Sequence, residues 1–314
     1  MSRSVKAHIL LVLITFIWGV TFVVIKNALD DATPLLFNAI RMVLAAAALV
    51  LCFRREFKVM TRASVVAGIV VGIFLWLGYE FQTTGLKLTS ASKSAFLTGM
   101  SVVLVPIILA VGWRKKLNHW STLGVIAAFV GLYLMTVPAN GAGDVFSLEG
   151  VNLGDLLTLG CAIAFAFQII MVGRTTVKYR FEQIVVVEAI TCAVLMVFTV
   201  PLLETPHIVW SQQVVWAILV TGLLGTAAAW TVQAWAQQFT PPTHTALIFA
   251  LEPVFAVLTS YVVLGERLGI RAGVGSALIL AGVLISELLS SSQETKTEMV
   301  EETGEAAQQI SSID

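Results

Sequence analysis

Between Pro242 and the Gly-Glu-Arg triplet at 265 to 267 lies an apolar run with Glu252 and Pro253 side by side inside it. The run is long enough to cross a bilayer as a helix, which takes roughly 20 residues. A carboxylate at mid-span costs about 3 kcal/mol or more, and a proline removes a donor from the backbone ladder. Two such residues together suggest a binding site; the plainer alternative is a proline kink with the carboxylate near a wet end. Arg41 raises the same question, because it lies about eight residues into another apolar run, too deep for easy snorkelling. It either pairs with a carboxylate, Glu80 or Glu188, or holds an anionic ligand group as a bidentate fork. Glu80 is either a structural partner of Arg41 or a group that takes up and releases a proton.

Around these charges the spacing of polar and aromatic residues defines faces. Trp76, Tyr79, Glu80 and Thr83 recur at three- and four-residue intervals, as do Thr226, Trp230, Gln233 and Gln237, so each set shares one side of a helix. The two faces are expected to form opposing walls of a cavity, where aromatic rings grip an apolar group or stack on a cation. Tryptophans nearer the span ends, Trp113, Trp120 and Trp210, fit an interfacial belt instead. Thr21 and Gln168 are further polar candidates. Pro106 and Pro253 are candidate hinges, since each frees a backbone carbonyl. The many glycines within the runs point to close helix packing.

The elements that must carry these residues follow from composition. Of 314 residues, 58% are hydrophobic and 12% charged, and a soluble domain is about a quarter charged. The chain reads as an all-α membrane protein. Ten runs are long enough to span, near 7–26, 34–53, 64–85, 93–113, 119–137, 154–173, 183–203, 213–236, 243–264 and 270–289. The first is expected to be a transmembrane helix and not a cleaved signal, because it outlasts the usual apolar core and lacks a small-residue cleavage site. After Ser290 the sequence becomes polar and acidic, the composition of a disordered tail.

A formal net charge of zero offers no basic surface for nucleic acid. Cys52, Cys161 and Cys192 each fall in an apolar run and read as buried thiols. No Cys/His spacing suggests a metal, and no cofactor is expected. Lys and Arg near the helix ends divide thirteen to five between alternate sides, which places both termini in the cytoplasm by the positive-inside rule. A bacterial inner membrane is the expected location.

An offset of 151 positions lays residues 79–132 on 230–283 without a gap. Tyr79 falls on Trp230, Gln82 on Gln233, Gly124 on Gly275 and Gly131 on Gly282, while Glu252 falls on Ser101. An offset of 147 puts Trp18 on Phe165, Thr21 on Gln168 and Arg41 on Glu188. The expected organisation is therefore a first five-helix repeat at 1–137, an outer connecting loop at 138–153, a second repeat at 154–289 and a tail at 290–314. Five being odd, the second copy enters the membrane from the opposite side, as in inverted-repeat carriers that bind substrate near the midplane.

The segments FIWGVTFVVIK, LTSASKSAFLTGMSVVLVPIILAV and ALEPVFAVLTSYVVLGERL resemble the EamA family of the drug/metabolite transporter superfamily over roughly residues 8–289. The resemblance implies ten helices in two inverted repeats, with helices one to four and six to nine around a central cavity and five and ten at the periphery. It also implies transport of amino acids or other small metabolites, often export, by alternating access. The first repeat departs from the second where Arg114-Lys115-Lys116 answers Gly265-Glu266-Arg267. The expected function is a secondary transporter of a small amphipathic metabolite with a small-molecule substrate, protons as a coupling option, and the lipid bilayer as surroundings. The alternatives are an uncoupled facilitator or importer and a membrane-embedded enzyme acting on lipids. The enzyme would call for clustered aspartates, a His/Asp pair or a metal set, and the sequence carries none.

Overall fold

The structure, a computed structural model, describes residues 2–88, 97–115, 118–136, 152–264 and 269–286. The connecting loop expected at 138–153 lies, but for its last two residues, outside the described residues. So do the tail at 290–314, Lys93, Lys116 and the Gly265-Glu266-Arg267 triplet.

Ten helical segments follow the order of the apolar runs. They are α1 (Arg3–Ala28), α2 (Pro34–Cys52), α3 (Arg62–Leu88), α4 (Leu97–Trp113), α5 (His119–Thr136), α6 (Leu153–Thr175), α7 (Phe181–Leu203), α8 (Gln212–Ala236), α9 (Pro242–Phe249 and Glu252–Leu264) and α10 (Ile270–Ser286). Six of them, α1, α2, α3, α6, α7 and α8, are long and apolar enough to cross a membrane. Their starts are chemically marked. Ser2 and Ser211 accept hydrogen bonds from the first-turn amides of α1 and α8, and Asn152 with Asp155 forms a reciprocal capping box on α6. These side chains satisfy amides that a helix leaves without partners. On α2, Pro34 occupies the first turn and the Glu204 carboxylate, reaching over from the end of α7, accepts from the amides of Leu35 and Leu36 at 3.2 and 2.9 Å.

Two spans are less regular than their sequences predict. The helix expected at 243–264 breaks at Ala250–Leu251. Pro253 has no N–H to offer the Phe249 carbonyl, yet fits the first turn of a new helix. Glu252 opens that second half-helix, where the positive end of the helix dipole favours a carboxylate. In α8 the six residues Leu223–Ala228 widen into a π-turn, with the Ala229 amide bonding to Leu224 O and the Thr226 hydroxyl to Thr221 O at 2.8 Å. Cys161 and Cys192 are buried as expected, but Cys52 is exposed: it falls in the last turn of α2, past Leu49, the last buried residue of that helix.

Glycine governs how the helices meet. On α3, a Cβ at Gly68 or Gly72 would strike Val187 or the Glu188 carbonyl of α7, while Gly78 and Gly85 abut Phe165 and Thr158 of α6. Close approach of this kind is the usual use of small residues in membrane helices. Between α5 and α10 the pattern is crossed: Gly124 faces the Gly282 carbonyl and Gly131 faces the Gly275 carbonyl. Since Gly124 is the repeat counterpart of Gly275, and Gly131 of Gly282, each residue meets the counterpart of the other. That is the signature of an isologous contact about a two-fold axis. The two helices run antiparallel, as an inverted second repeat requires.

One buried cluster joins α2, α3, α6, α7 and α8; a second joins α1, α4, α5, α8, α9 and α10. Helices α2 and α7 are clasped at both ends. At one end the α1–α2 and α7–α8 connections pair through Thr33 N to His207 O and Val209 N to Asp31 O. At the other, Arg180 binds Glu56 at 3.0 Å and Gln183 donates to the same carboxylate.

Candidate functional site

Arg41 is 6% exposed at mid-span on α2. Its guanidinium lies 4.7 Å from the centroid of the Tyr79 ring on α3, and its Nε has no acceptor. No carboxylate among the described residues forms an ion pair with it. The expected partners are otherwise engaged. Glu80 Oε1 accepts from Thr199 Oγ1 of α7 at 2.7 Å, and Glu188 Oε1 accepts from Gln168 Nε2 at 2.8 Å. The structure thus corrects the pairing of Arg41 with Glu80 or Glu188. A cation on an aromatic face is a stable arrangement, and it leaves the guanidinium's donors for something else.

Tyr79 is the centre of an aromatic chain. It meets Trp230 of α8 edge to face at 6.2 Å and Phe165 of α6 at 5.9 Å, while Trp230 meets Trp18 of α1 at 5.1 Å and Trp18 meets Phe249 of α9 at 5.0 Å. The order Phe165, Tyr79, Trp230, Trp18 repeats the internal symmetry, because Tyr79 corresponds to Trp230 and Phe165 to Trp18. The α3 and α8 faces expected as opposing walls therefore close on each other at their aromatic centres. Trp18 is anchored by donating from Nε1 to the Gly225 carbonyl at 2.7 Å, within the π-turn. Such widened turns often occur at functional sites.

The remaining candidates separate. Gln233 belongs to a buried chain: its Nε2 donates to Gln168 Oε1 at 3.1 Å and to Gln237 Oε1 at 2.9 Å, and Gln237 Nε2 reaches Ile169 O at 2.8 Å. With Gln168 held on Glu188, this chain joins α6, α7 and α8. Replacing Gln233 with leucine removes the donor for two buried acceptors and is expected to cost about 1–3 kcal/mol; an unchanged melting temperature in detergent would contradict that role. Thr83 accepts from Asn38 Nδ2 and donates to Tyr79 O, both at 2.7 Å, and so fastens α2 to α3. Thr21 bonds to Trp18 O in its own helix. Glu252 is half-buried where α1 passes closest to α9, with Gly19 against the Glu252 carbonyl, and no hydrogen bond links its carboxylate to the Arg41 cluster among the described residues. Pro106 lies within the continuous helix α4, and Pro253 at the break in α9.

Seven buried side-chain polar atoms among the described residues have no protein partner, and five of them are Arg41 Nε, Trp76 Nε1, Glu80 Oε2, Trp230 Nε1 and Gln233 Oε1. Buried polar groups are almost always satisfied, so the concentration of such atoms on α2, α3 and α8 sets this region apart from the rest of the described interior. Sequence reasoning gave no role of their own to Trp18 and Phe165, and offered Glu188 only as a partner for Arg41. The repeat offset was the signal for all three, pairing Trp18 with Phe165 and Glu188 with Arg41.

A polytopic helical fold with repeated halves and polar side chains buried within the spans is an architecture used by membrane transporters. The model of the EamA-like transporter family matches residues 5–137 and 152–288, one match per repeat, and the chain belongs to that family. An uncharacterized transporter of Archaeoglobus fulgidus is 33% identical over 292 residues, spanning 91% of this chain and 87% of its own. The uncharacterized transporter YoaV of Bacillus subtilis is 24% identical over 297 residues, 90% and 97% of the two chains. An S-adenosylmethionine/S-adenosylhomocysteine transporter of Chlamydia muridarum is 34% identical over 153 residues, 47% of each chain. A solved crystal structure superposes with a TM-score of 0.76 at 19% identity, covering 92% of this chain and 99% of the other, which shows the shared fold.

Proposed function

We propose that this transporter moves a small amphipathic metabolite bearing a carboxylate, an amino acid or a derivative of one, by alternating access around Arg41, Trp76, Tyr79, Glu80, Trp230 and Gln233. The reading is carried by the buried guanidinium of Arg41, which has no ion pair among the described residues and faces the aromatic chain. A ligand carboxylate would complete its fork, while Tyr79, Trp76 and Trp230 would receive the apolar or cationic part of the same molecule. The partial similarity to a carrier of S-adenosylmethionine, an amino acid with a cationic sulfur and an aromatic base, supports that class. The direction we propose is export from the cytoplasm of a bacterial cell, with both termini cytoplasmic.

Glu80, with one oxygen held by Thr199 and the other unsatisfied, is the proposed proton carrier. In proteoliposomes, Glu80→Gln is expected to abolish accumulation driven by a pH gradient while leaving substrate exchange at equal pH intact; an unaltered response to the gradient would reduce Glu80 to a structural role. The two repeats are proposed to rock, so the clasps at opposite ends of α2 and α7 must open in turn. Crosslinking Thr33→Cys to His207→Cys should stop transport, and full activity after crosslinking would contradict the rocking.

A further inference from the structure

At the end of the bundle where α3 begins and α6 ends, a groove of about 580 Å³ lies between the two helices. Arg62, Arg174 and Lys178 border it, and all three are exposed. No acidic residue lines it. The nearby carboxylates of Glu56 and Glu182 are taken by Arg180, and none of the three groove cations has an ion-pair partner among the described residues. Arg174 is held in place with its guanidinium 4.7 Å from the centroid of the Trp113 ring on α4.

The floor of the groove is apolar, formed by Val66, Ala67 and Met171. It continues along α3 toward mid-span as an outward row of Ile69, Val70 and Ile73, each 37–38% exposed. A cationic rim at the water boundary leading to an apolar track of bilayer depth matches one shape of ligand: an anionic headgroup with acyl chains attached. We propose that this groove is a binding site for an anionic phospholipid, with the phosphate held by Arg62, Arg174 and Lys178 and an acyl chain lying along the exposed face of α3. Basic pockets between membrane helices recognise such headgroups by the same charge complementarity. A soluble phosphate compound would find the rim but leave the apolar track unused.

The test uses the full chain in nanodiscs of phosphatidylcholine containing a fixed fraction of phosphatidylglycerol, with bound lipid counted by native mass spectrometry after mild delipidation. Wild type is expected to retain phosphatidylglycerol over phosphatidylcholine. The triple variant Arg62→Gln, Arg174→Gln, Lys178→Gln should lose that preference by on the order of 100-fold, given the attraction of each cation to an anionic surface. A control variant, Arg54→Gln, Arg55→Gln, Lys58→Gln, removes the same charge elsewhere and should keep the preference. Equal retention of both lipids by wild type, or equal loss in the two variants, would overturn the site. Displacement of phosphatidylglycerol by millimolar inorganic phosphate would overturn the lipid assignment and make the rim a site for free phosphate.

Discussion

Replacing Arg41 with alanine is expected to lower transport at sub-saturating substrate by about 30- to 4,000-fold, because losing one partner of a buried charged contact costs about 2–5 kcal/mol. The same change should leave the ligand-free protein as stable as wild type or more so. A buried charge with no ion pair carries a desolvation cost that nothing in the protein repays in full, and the contact with Tyr79 recovers only about 0.5–2 kcal/mol of it. The opposite pair of results, transport retained and stability lost, would identify Arg41 as a structural residue that happens to stack on Tyr79. Arg41→Lys should fall between, since lysine keeps the charge but loses the planar fork that binds a carboxylate and lies flat on an aromatic ring. Initial uptake rates and thermal melts in detergent read the two effects separately.

Valine at Gly131 is expected to be the most damaging packing change. Its Cβ would come within 2.5 Å of the Gly275 carbonyl oxygen, a backbone atom that no rotamer change can move aside. Helices α5 and α10 would have to separate, at a cost of about 1–3 kcal/mol, or an apparent melting temperature lower by roughly 3–10 °C. The two-fold relation makes a sharper demand. Gly282→Val, where the same atom would meet the Gly124 carbonyl at 2.5 Å, should cost a similar amount, whereas Gly112→Val, with open space around its Cβ, should cost little. Unequal losses at 131 and 282 would contradict the symmetric contact between the repeats.

These two sites also show what a sequence can disclose. Gly124, Gly131, Gly275 and Gly282 are visible in the sequence because the repeat offset aligns them in pairs, and the membrane-helix rule for small residues supplies their role. Arg41, Glu80 and the aromatics at 76, 79 and 230 stand out because a polar atom in a span must find a partner or a ligand. What did not show was which partner each would find. Arg41 passes over two carboxylates for the face of Tyr79, Thr199 takes Glu80, and the glutamines at 168, 233 and 237 bond to one another. Such choices depend on helix rotation and depth, which a periodicity leaves free by several ångströms. The π-turn at Leu223–Ala228 had no local mark, since LLGTAA is compatible with an ordinary helix. Pro253 announced a disturbance but did not say whether it would bend α9 or divide it.

The most direct test of the substrate proposal is the thermal stability of the purified full chain against free amino acids and S-adenosylmethionine, each beside its methyl ester, in wild type and Arg41→Ala. A ligand that binds only the folded form raises apparent stability by mass action. Wild type is expected to be stabilised by at least one free acid, an effect lost when that acid is esterified and lost again in Arg41→Ala. Equal stabilisation by acid and ester, or a shift that survives removal of the guanidinium, would contradict the substrate proposal.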